Sequence, residues 1–465
     1  MSIRLLSMYL KVPIILLAMI EGSLLLFATY FSAAIMYQGH NFNSVTKTGN
    51  LFPTAALFAV VALASLIAVG LYSTRQRVGL AGIFVRVGAA VANATAFSAL
   101  AYYFIPALRV DRSVLLGMAA LSVVTCFLVR LLFERIVDED LFKRRVAVYG
   151  AGNRSRCLLE LRRRADQRGF KIIGYMPTDG DEIIVPPDKL LERPHDLYQW
   201  SLVNHIDEIV MAMDDRRHGF PMHELLECRL AGIEILELPS FLERETGKVR
   251  LDVLNPSWII FGDGFRASPT QQFLERAFDL AASAGLLLMA SPLMLLAMLG
   301  IKLEEGAQAP LFYRQKRVGH HGLVFDVLKF RSMRVDAEKF GAQYATENDP
   351  RVTRIGALMR KTRIDELPQL LNVLRGEMSF VGPRPERPEF VGELEQRIPY
   401  YRERHTVKPG ITGWAQLCYP YGSSEKDTVE KLQYDLYYVK NRSLLFDLAI
   451  LVQTVEVVLW GKGAR

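Results

Sequence analysis

Cysteine is scarce and scattered. The four residues Cys126, Cys157, Cys228 and Cys418 form no CxxC pair, which points to neither a zinc site nor a disulfide framework and fits a reducing compartment. There is no arginine-rich tail and no nucleic-acid module signature. The net charge of +7 is therefore assigned to an anionic membrane face or phosphate-bearing substrates rather than to nucleic acid. No tyrosine is followed four positions later by lysine, so the YxxxK pair of a short-chain dehydrogenase is missing. Charge itself is absent from long stretches: apolar residues make up 51% and charged ones 23%, too oily for an ordinary soluble chain and too polar for a pure transporter. A length of 465 residues suggests about three units.

Four stretches approach the ~20 apolar residues that cross a bilayer. They are Pro13–Tyr37, Leu51–Tyr72, Gly79–Ala107 and Val114–Phe133. The second carries no charge. Glu21 in the first and Arg86 in the third are costly at mid-bilayer unless paired, and Arg130 in the fourth is near enough to its end to snorkel. The first stretch is too long for a signal-peptide core and is expected to be retained. Arg4 and Lys11 precede it, Arg75 and Arg77 separate the second and third spans, and Lys143, Arg144 and Arg145 follow the fourth. The other two loops offer Lys47, and Arg109 and Arg112 with Asp111. Both ends of a bundle over 1–138 are thus expected to be cytoplasmic, with everything after it on the side of activated nucleotide metabolites.

The run RRVAVYGAGNRSRCLLELRRR reads as strand, glycine turn and helix. Gly150 and Gly152 would let backbone approach a phosphate, but Ser155 stands at the third glycine position, and only Asp179 and Asp181 offer an acid after the next strand. A partial GxGxxG is a weak motif. With IDEIVMAM and GIEILELP as further strands, the expectation is a Rossmann-like α/β domain over 144–245, a nucleotide site or a scaffold, followed by a linker over 246–269. A fifth apolar stretch, 273–303, carries Ser291-Pro292 at its middle and charges at both ends. Proline should bend it, and from the residues alone a re-entrant helix and a kinked crossing helix both stay open.

From residue 309 the chain turns basic: KFRSM places Lys329 and Arg331 around Phe330, at the end of an alternating strand over Val324–Phe330. A helix is expected over Arg354–Leu371, interrupted at Pro368 just after Asp365 and Glu366. Adjacent carboxylates diverge by about 100° on a helix, so they should do different jobs. An aspartate can attack phosphorus, and a neighbouring glutamate can help hold Mg²⁺. Arg360, Arg363, Arg375 and Arg384 could stabilise transferring phosphoryl oxygens. Arg384 is fixed between Pro383 and Pro385, and RHTVKPGITGWAQL adds Arg404, His405 and Lys408.

KFRSM, DELPQLLNVLRGEMSFVGPRPE and RHTVKPGITGWAQL, in that order, resemble the bacterial sugar transferase family of large monotopic polyprenyl-phosphate phosphoglycosyl transferases, over about 270–465. The resemblance implies a membrane protein of mixed α and α/β class: four transmembrane helices, a Rossmann-like (CoA- or nucleotide-binding-like) domain, then an α/β-type catalytic domain with a re-entrant helix over 273–303 broken at Ser291 and Pro292. It implies transfer of a sugar 1-phosphate from a UDP-sugar to undecaprenyl phosphate with release of UMP, the first membrane step of exopolysaccharide or O-antigen synthesis. Asp365 would be the nucleophile and Glu366 its partner at Mg²⁺, both as metal ligands. Lys329, Arg331, Arg360, Arg384, Arg404 and Lys408 would contact substrate. The expected place is the bacterial inner membrane, with the catalytic domain facing the cytoplasm.

The expected partners are membrane lipid, downstream glycosyltransferases and a second copy of the chain through the middle domain. The segment 443–460 is expected either on the membrane surface, with Lys462 and Arg465 at headgroups, or packed on the core. Two rival readings use the same ingredients. A membrane-anchored NAD-dependent nucleotide-sugar dehydratase lacks its YxxxK here, and a non-enzymatic assembly scaffold leaves the carboxylate pair unexplained. The transferred sugar stays open, since its contacts could lie anywhere in 335–430.

Overall fold

The computed structural model describes residues 2–5, 8–36, 50–69, 71–72, 80–136, 143–161, 169–179, 181–215, 220–254, 264–265, 268–334, 349–419, 422 and 424–459. Lys47, Arg75, Arg77, Lys462 and Arg465 lie outside the described residues. The chain divides into two units, Met1–Gly247 and Lys248–Arg465.

The first unit opens with a short antiparallel pair, β1 (Ser2–Leu5) and β2 (Met8–Lys11). Four helices follow: α1 (Val12–Met36), α2 (Phe52–Ala68), α3 (Leu80–Phe104) and α4 (Arg112–Ile136). Buried Leu25, Phe58, Leu66, Val87, Val91 and Met118 interlock them, and large apolar side chains such as Phe27, Val60, Phe97 and Leu116 stay outside. That arrangement is apolar within and without, as a bundle surrounded by lipid requires. Helices α1, α3 and α4 are long and apolar enough to cross a membrane; α2, with 17 residues, is apolar but shorter than the expected Leu51–Tyr72.

The reason α2 can stop early is chemical. Arg86 donates to the Val69 carbonyl at 3.0 Å and Arg130 to the Leu71 carbonyl at 2.8 Å, so backbone beyond the helix is not left bare at depth. Arg130 therefore does not snorkel. Its Nε lies 2.7 Å from Glu21, its guanidinium sits over the Tyr72 ring at 4.8 Å, and the Tyr72 hydroxyl also donates to Glu21. The expected cost of Glu21 is offset by this pairing.

Strands β3 (Arg144–Tyr149), β4 (Phe170–Met176), β5 (Glu208–Met211) and β6 (Glu234–Glu237) form a parallel sheet in the order β4-β3-β5-β6. Connections run through α5 (Arg156–Leu159), α6 (Leu197–Val203) and α7 (Met222–Leu230), and α8 (Leu238–Thr246) closes the unit. All four β5 residues are buried, as expected of a strand covered on both faces. The chain reverses direction across the sheet between β3 and β5, and the glycine turn sits there.

The second unit begins with α9 (Pro269–Glu305), a 37-residue helix and the fourth one long and apolar enough to cross a membrane. A hairpin follows, β7 (Phe312–Val318) with β8 (Val324–Phe330), the latter with the bounds expected from its alternation. Next come α10 (Arg354–Thr362), α11 (Gln369–Arg375), β9 (Ser379–Val381), α12 (Pro388–Arg397), β10 (Gly410–Thr412), α13 (Trp414–Cys418), α14 (Glu425–Asn441) and α15 (Leu444–Leu459). Strands β9 and β10 pair in parallel. Met294, Ala297 and Ile301 of α9 pack with Phe330 and Met359, seating α10 and β8 on the long helix. Phe446 and Ile450 of α15 are buried, so this helix packs on the core along that face.

One expectation about a helix break is corrected, and a second helix is continuous across its proline. The helix over Arg354–Leu371 breaks at Arg363, not at Pro368: Arg363 takes a left-handed conformation (φ 59°, ψ 17°) that ends α10, and Pro368 simply precedes α11. The helix α9 runs on through Pro292. The proline removes the N–H that would bond the Leu288 carbonyl, and the Ser291 hydroxyl donates to that carbonyl instead at 2.8 Å.

Candidate active site

Asp365 and Glu366 sit on a 3-10 turn, Ile364–Glu366, between α10 and α11. Helix α10 is tightly seated: a Cβ at Gly356 would meet the Ser332 carbonyl oxygen at 2.0 Å, so only glycine allows that approach. At its far end the left-handed Arg363 ends the helix and leads into the turn that carries the two carboxylates. On the other flank Asn372, fully buried in α11, accepts from Leu328 N at 3.0 Å and donates to the Asp326 carbonyl at 2.7 Å. It thereby fixes α11 against β8, the strand that delivers Lys329.

The cations converge on one carboxylate. Lys329 Nζ donates to Glu366 Oε1 at 3.0 Å, Arg384 Nη2 to the same oxygen at 3.2 Å, and Arg363 lies 3.7 Å from Oε2. Burial opposes ionisation of Glu366, yet Arg384, Lys329 and Arg363 together hold its carboxyl well below the usual range. Asp365 has the opposite balance. Burial and the neighbouring Glu366 charge push its carboxyl above the ordinary value, against the pull of Lys329, Arg360 and Arg363. Its Oδ1 is buried without a hydrogen-bond partner among the described residues. One carboxylate is committed to cations, and the other is left with an oxygen to offer.

The remaining candidates divide. Arg360 contributes positive charge to the surroundings of Asp365. Arg331 donates its backbone N–H to the Leu311 carbonyl at 2.9 Å, while its buried Nε has no hydrogen-bond partner among the described residues. Arg404 is buried on Asp435 at 2.8 Å and donates to the Arg384 carbonyl at 3.0 Å; it shapes the Pro-Arg-Pro segment from behind. His405 beside it is pushed down to about 4 by burial and the charges of Arg404 and Arg402, so it is neutral. Lys408 has Arg276, Asp279 and Glu275 as charged neighbours rather than Glu366. Sequence reasoning missed Asn372, Asp435 and Arg317, whose Nη1 donates to the Pro385 carbonyl at 3.0 Å. An asparagine amid LLNVL was the one available signal.

A family model for bacterial sugar transferases matches residues 270–461. The UDP-N-acetylgalactosamine-undecaprenyl-phosphate N-acetylgalactosaminephosphotransferase of Aeromonas hydrophila is 40% identical over 279 residues, 58% of this chain and 65% of that relative. The UDP-glucose:undecaprenyl-phosphate glucose-1-phosphate transferase of Escherichia coli K12 is 35% identical, over 67% of each chain. The undecaprenyl-phosphate galactose phosphotransferase of Salmonella typhimurium is 30% identical, over 72% of each chain. The chain belongs to the bacterial sugar transferase family. It spans less than two thirds, 65%, of the Aeromonas relative.

The glycine turn of the middle domain is filled by the protein itself. Asp214 accepts from Asn153 N at 2.7 Å and Arg154 N at 2.8 Å, and Asp181 accepts from Ala151 N at 2.9 Å. A Cβ on Gly152 would meet Asp214 Oδ2 at 2.2 Å. The N–H groups that could cradle a phosphate already hold carboxylates, and Asp181, one of the two acids on offer after the next strand, is folded back onto the turn.

Proposed function

We propose that this sugar transferase moves a sugar 1-phosphate from a UDP-sugar to undecaprenyl phosphate at the cytoplasmic face of a bacterial inner membrane. The observation that carries the reading is the division of labour at residues 365 and 366, with one buried carboxylate oxygen unpartnered among the described residues beside a carboxylate surrounded by cations. In the first step an Asp365 oxygen attacks the β-phosphorus. The anhydride bond to the α-phosphate breaks, and UMP leaves with the electron pair. In the second step a phosphate oxygen of undecaprenyl phosphate attacks the same phosphorus and displaces the Asp365 carboxylate. One phosphoanhydride is broken and one is made, so no ATP is consumed, and catalysis is positioning and charge neutralisation. The covalent step lets UMP depart before the lipid arrives.

Arg384 and Lys329 are placed to receive charge from the transferring phosphoryl group, with Glu366 holding both in position. Arg360 and Arg363 keep positive charge on the Asp365 side, which favours the ionised nucleophile. The donor set also suits Mg²⁺. Among the described residues no cluster of three or more His, Cys, Asp or Glu could hold a metal, but Asp365 offers a free buried oxygen and Glu366 a second carboxylate. Mg²⁺ commonly takes one or two carboxylates and completes its shell with substrate phosphates. Held by Asp365 and Glu366, it would supply charge neutralisation on the diphosphate.

The re-entrant placement of α9 is part of the same reading. Arg276 and Asp279 near its start and Glu304 near its end all bond to the second unit, so a complete crossing would strand one end on the wrong side of the membrane. A surface site lets the nucleotide come from water and the lipid phosphate arrive laterally. The test is UMP release from UDP-glucose, UDP-galactose and UDP-N-acetylated sugars with Mg²⁺ and undecaprenyl phosphate, wild type against Asp365→Asn. Release with one donor, abolished by the substitution and by EDTA, is expected. Equal release from the asparagine variant would remove Asp365 as nucleophile.

A further inference from the structure

Helix α9 grips the catalytic turn from both sides. Near its start, Arg276 donates Nη1 to the Val373 carbonyl at 2.6 Å and Nη2 to the Leu374 carbonyl at 2.7 Å. These are two of the last carbonyls of α11, and that of Val373 also accepts from the capping Gly376 N at 3.0 Å. Near its other end, Glu304 accepts from Arg354 N at 2.7 Å and from Ile355 N at 2.8 Å, the first two N–H groups of α10. Thr353 takes the next, Gly356 N, at 2.9 Å. Each charge has the sign that the helix end favours, an anion at the N-terminus and a cation at the C-terminus.

A charged cap is an ordinary device. Here both caps come from one helix, and what they bracket is the continuous segment α10, catalytic turn, α11. A third tie fixes the other half of the site: Asp279 accepts from Ser379 Oγ at 3.0 Å and Phe380 N at 3.1 Å, in the strand that leads to Arg384. Between these anchors α9 turns Leu288, Met289, Leu295 and Leu296 outward, each more than 60% exposed. The anchors and the outward apolar side chains belong to the same helix. Any change in how α9 seats in lipid therefore reaches both ends of the catalytic segment.

We infer that Arg276 and Glu304 are positioning residues that couple the seating of α9 in a bilayer to the alignment of Asp365 and Glu366. The inference rests on the transferase reading and goes beyond it, because neither residue touches the reacting groups. A cap that served folding alone would lower the melting temperature and leave turnover per folded molecule unchanged. A positioning cap alters kcat while the KM for the donor, set by groups elsewhere in the site, stays put.

The experiment uses the full chain in nanodiscs of phosphatidylethanolamine and phosphatidylglycerol and, separately, in detergent micelles. Wild type, Arg276→Ala, Arg276→Lys and Glu304→Gln are compared for UMP release from the same donor panel and for hydrogen exchange over 354–376. Expected in nanodiscs is a loss of about tenfold in kcat for Arg276→Ala and Glu304→Gln at unchanged KM, with Arg276→Lys recovering most of it. Exchange over 354–376 should be slower in nanodiscs than in micelles for wild type, and this difference should vanish in Arg276→Ala and Glu304→Gln. Unchanged kcat, or a change in KM alone, overturns the inference while the transferase reading stands. If wild type releases UMP from no donor, the transferase reading fails, and exchange decides the coupling by itself: a lipid-dependent difference abolished by the variants supports it, and its persistence refutes it.

Discussion

Two pairs of carboxylates, one in each unit, are put to opposite uses. Asp181 and Asp214 close on the backbone N–H groups of the glycine turn, so that every oxygen named there answers a donor from the same domain. Asp365 and Glu366 are set among side-chain cations, and Asp365 keeps an oxygen without a partner among the described residues. The first arrangement is finished and asks nothing of a ligand. The second is incomplete, and a buried polar atom without a partner is costly enough to need a reason. A glycine turn at the switch point of a parallel sheet is thus not in itself a binding site; what matters is whether its N–H groups are spoken for.

The contrast can be broken most sharply at Asp365. Its substitution by asparagine should lower UMP release by about 10³-fold or more, since the proposed nucleophile is gone. In wild type, kcat/KM should rise with pH through an apparent pKa above that of an ordinary carboxylate, because burial and Glu366 raise Asp365; a profile already flat at pH 4 would contradict that environment. Glu366→Gln should cost about 10²-fold, read as a fall in kcat, because Lys329 and Arg384 lose the charge that places them.

A third substitution addresses stability. Asn372→Ala leaves Leu328 N and the Asp326 carbonyl unmatched in a fully buried position and should lower stability by about 2 kcal/mol in denaturant titration. In the middle domain, Asp214→Ala should cost about 1 kcal/mol by removing a cap from two N–H groups, with UMP release unaffected. Calorimetry of the wild-type full chain with NAD should show no saturable heat. A saturable signal would mean that a ligand displaces the two aspartates and would erase the distinction.

The smallest effect concerns Asp447, whose carboxyl is pushed up to about 8 by burial, with Glu275 and Asp279 adding to the shift and the Tyr438 hydrogen bond opposing it. A carboxyl with a raised folded value favours the native state while protonated. Its contribution is present at low pH and is lost as pH rises from about 3.8 in the unfolded chain through about 8 in the folded one. Asp447→Asn, which can still accept from Tyr438, should flatten the melting temperature over that window and raise it above pH 8.

Local chemistry made several elements readable in the sequence. The charge-free run in 51–72 and the alternation of Val324–Phe330 gave a helix and a strand without reference to anything distant, and the adjacent acids among arginines marked the turn on which side-chain cations converge. What escaped depends on partners far along the chain. Arg404 read as a substrate contact because Asp435, which holds it, lies in another helix. Arg130 read as a snorkelling residue because its partner Glu21 is in α1. The turn at Gly150 looked open because Asp214, which fills it, arrives from the end of a different strand. The break at Arg363 was assigned to Pro368 because proline announces itself in a sequence and a left-handed arginine does not.

That arginine serves two masters. Holding an ordinary L-residue in the left-handed region costs about 1 kcal/mol or more, and glycine would remove the strain. Glycine would also delete one of the cations facing Glu366. An engineer optimising the backbone alone would make that exchange and gain thermal robustness at the expense of turnover. Position 363 is therefore a place where a thermostabilised variant and a fast one must part company.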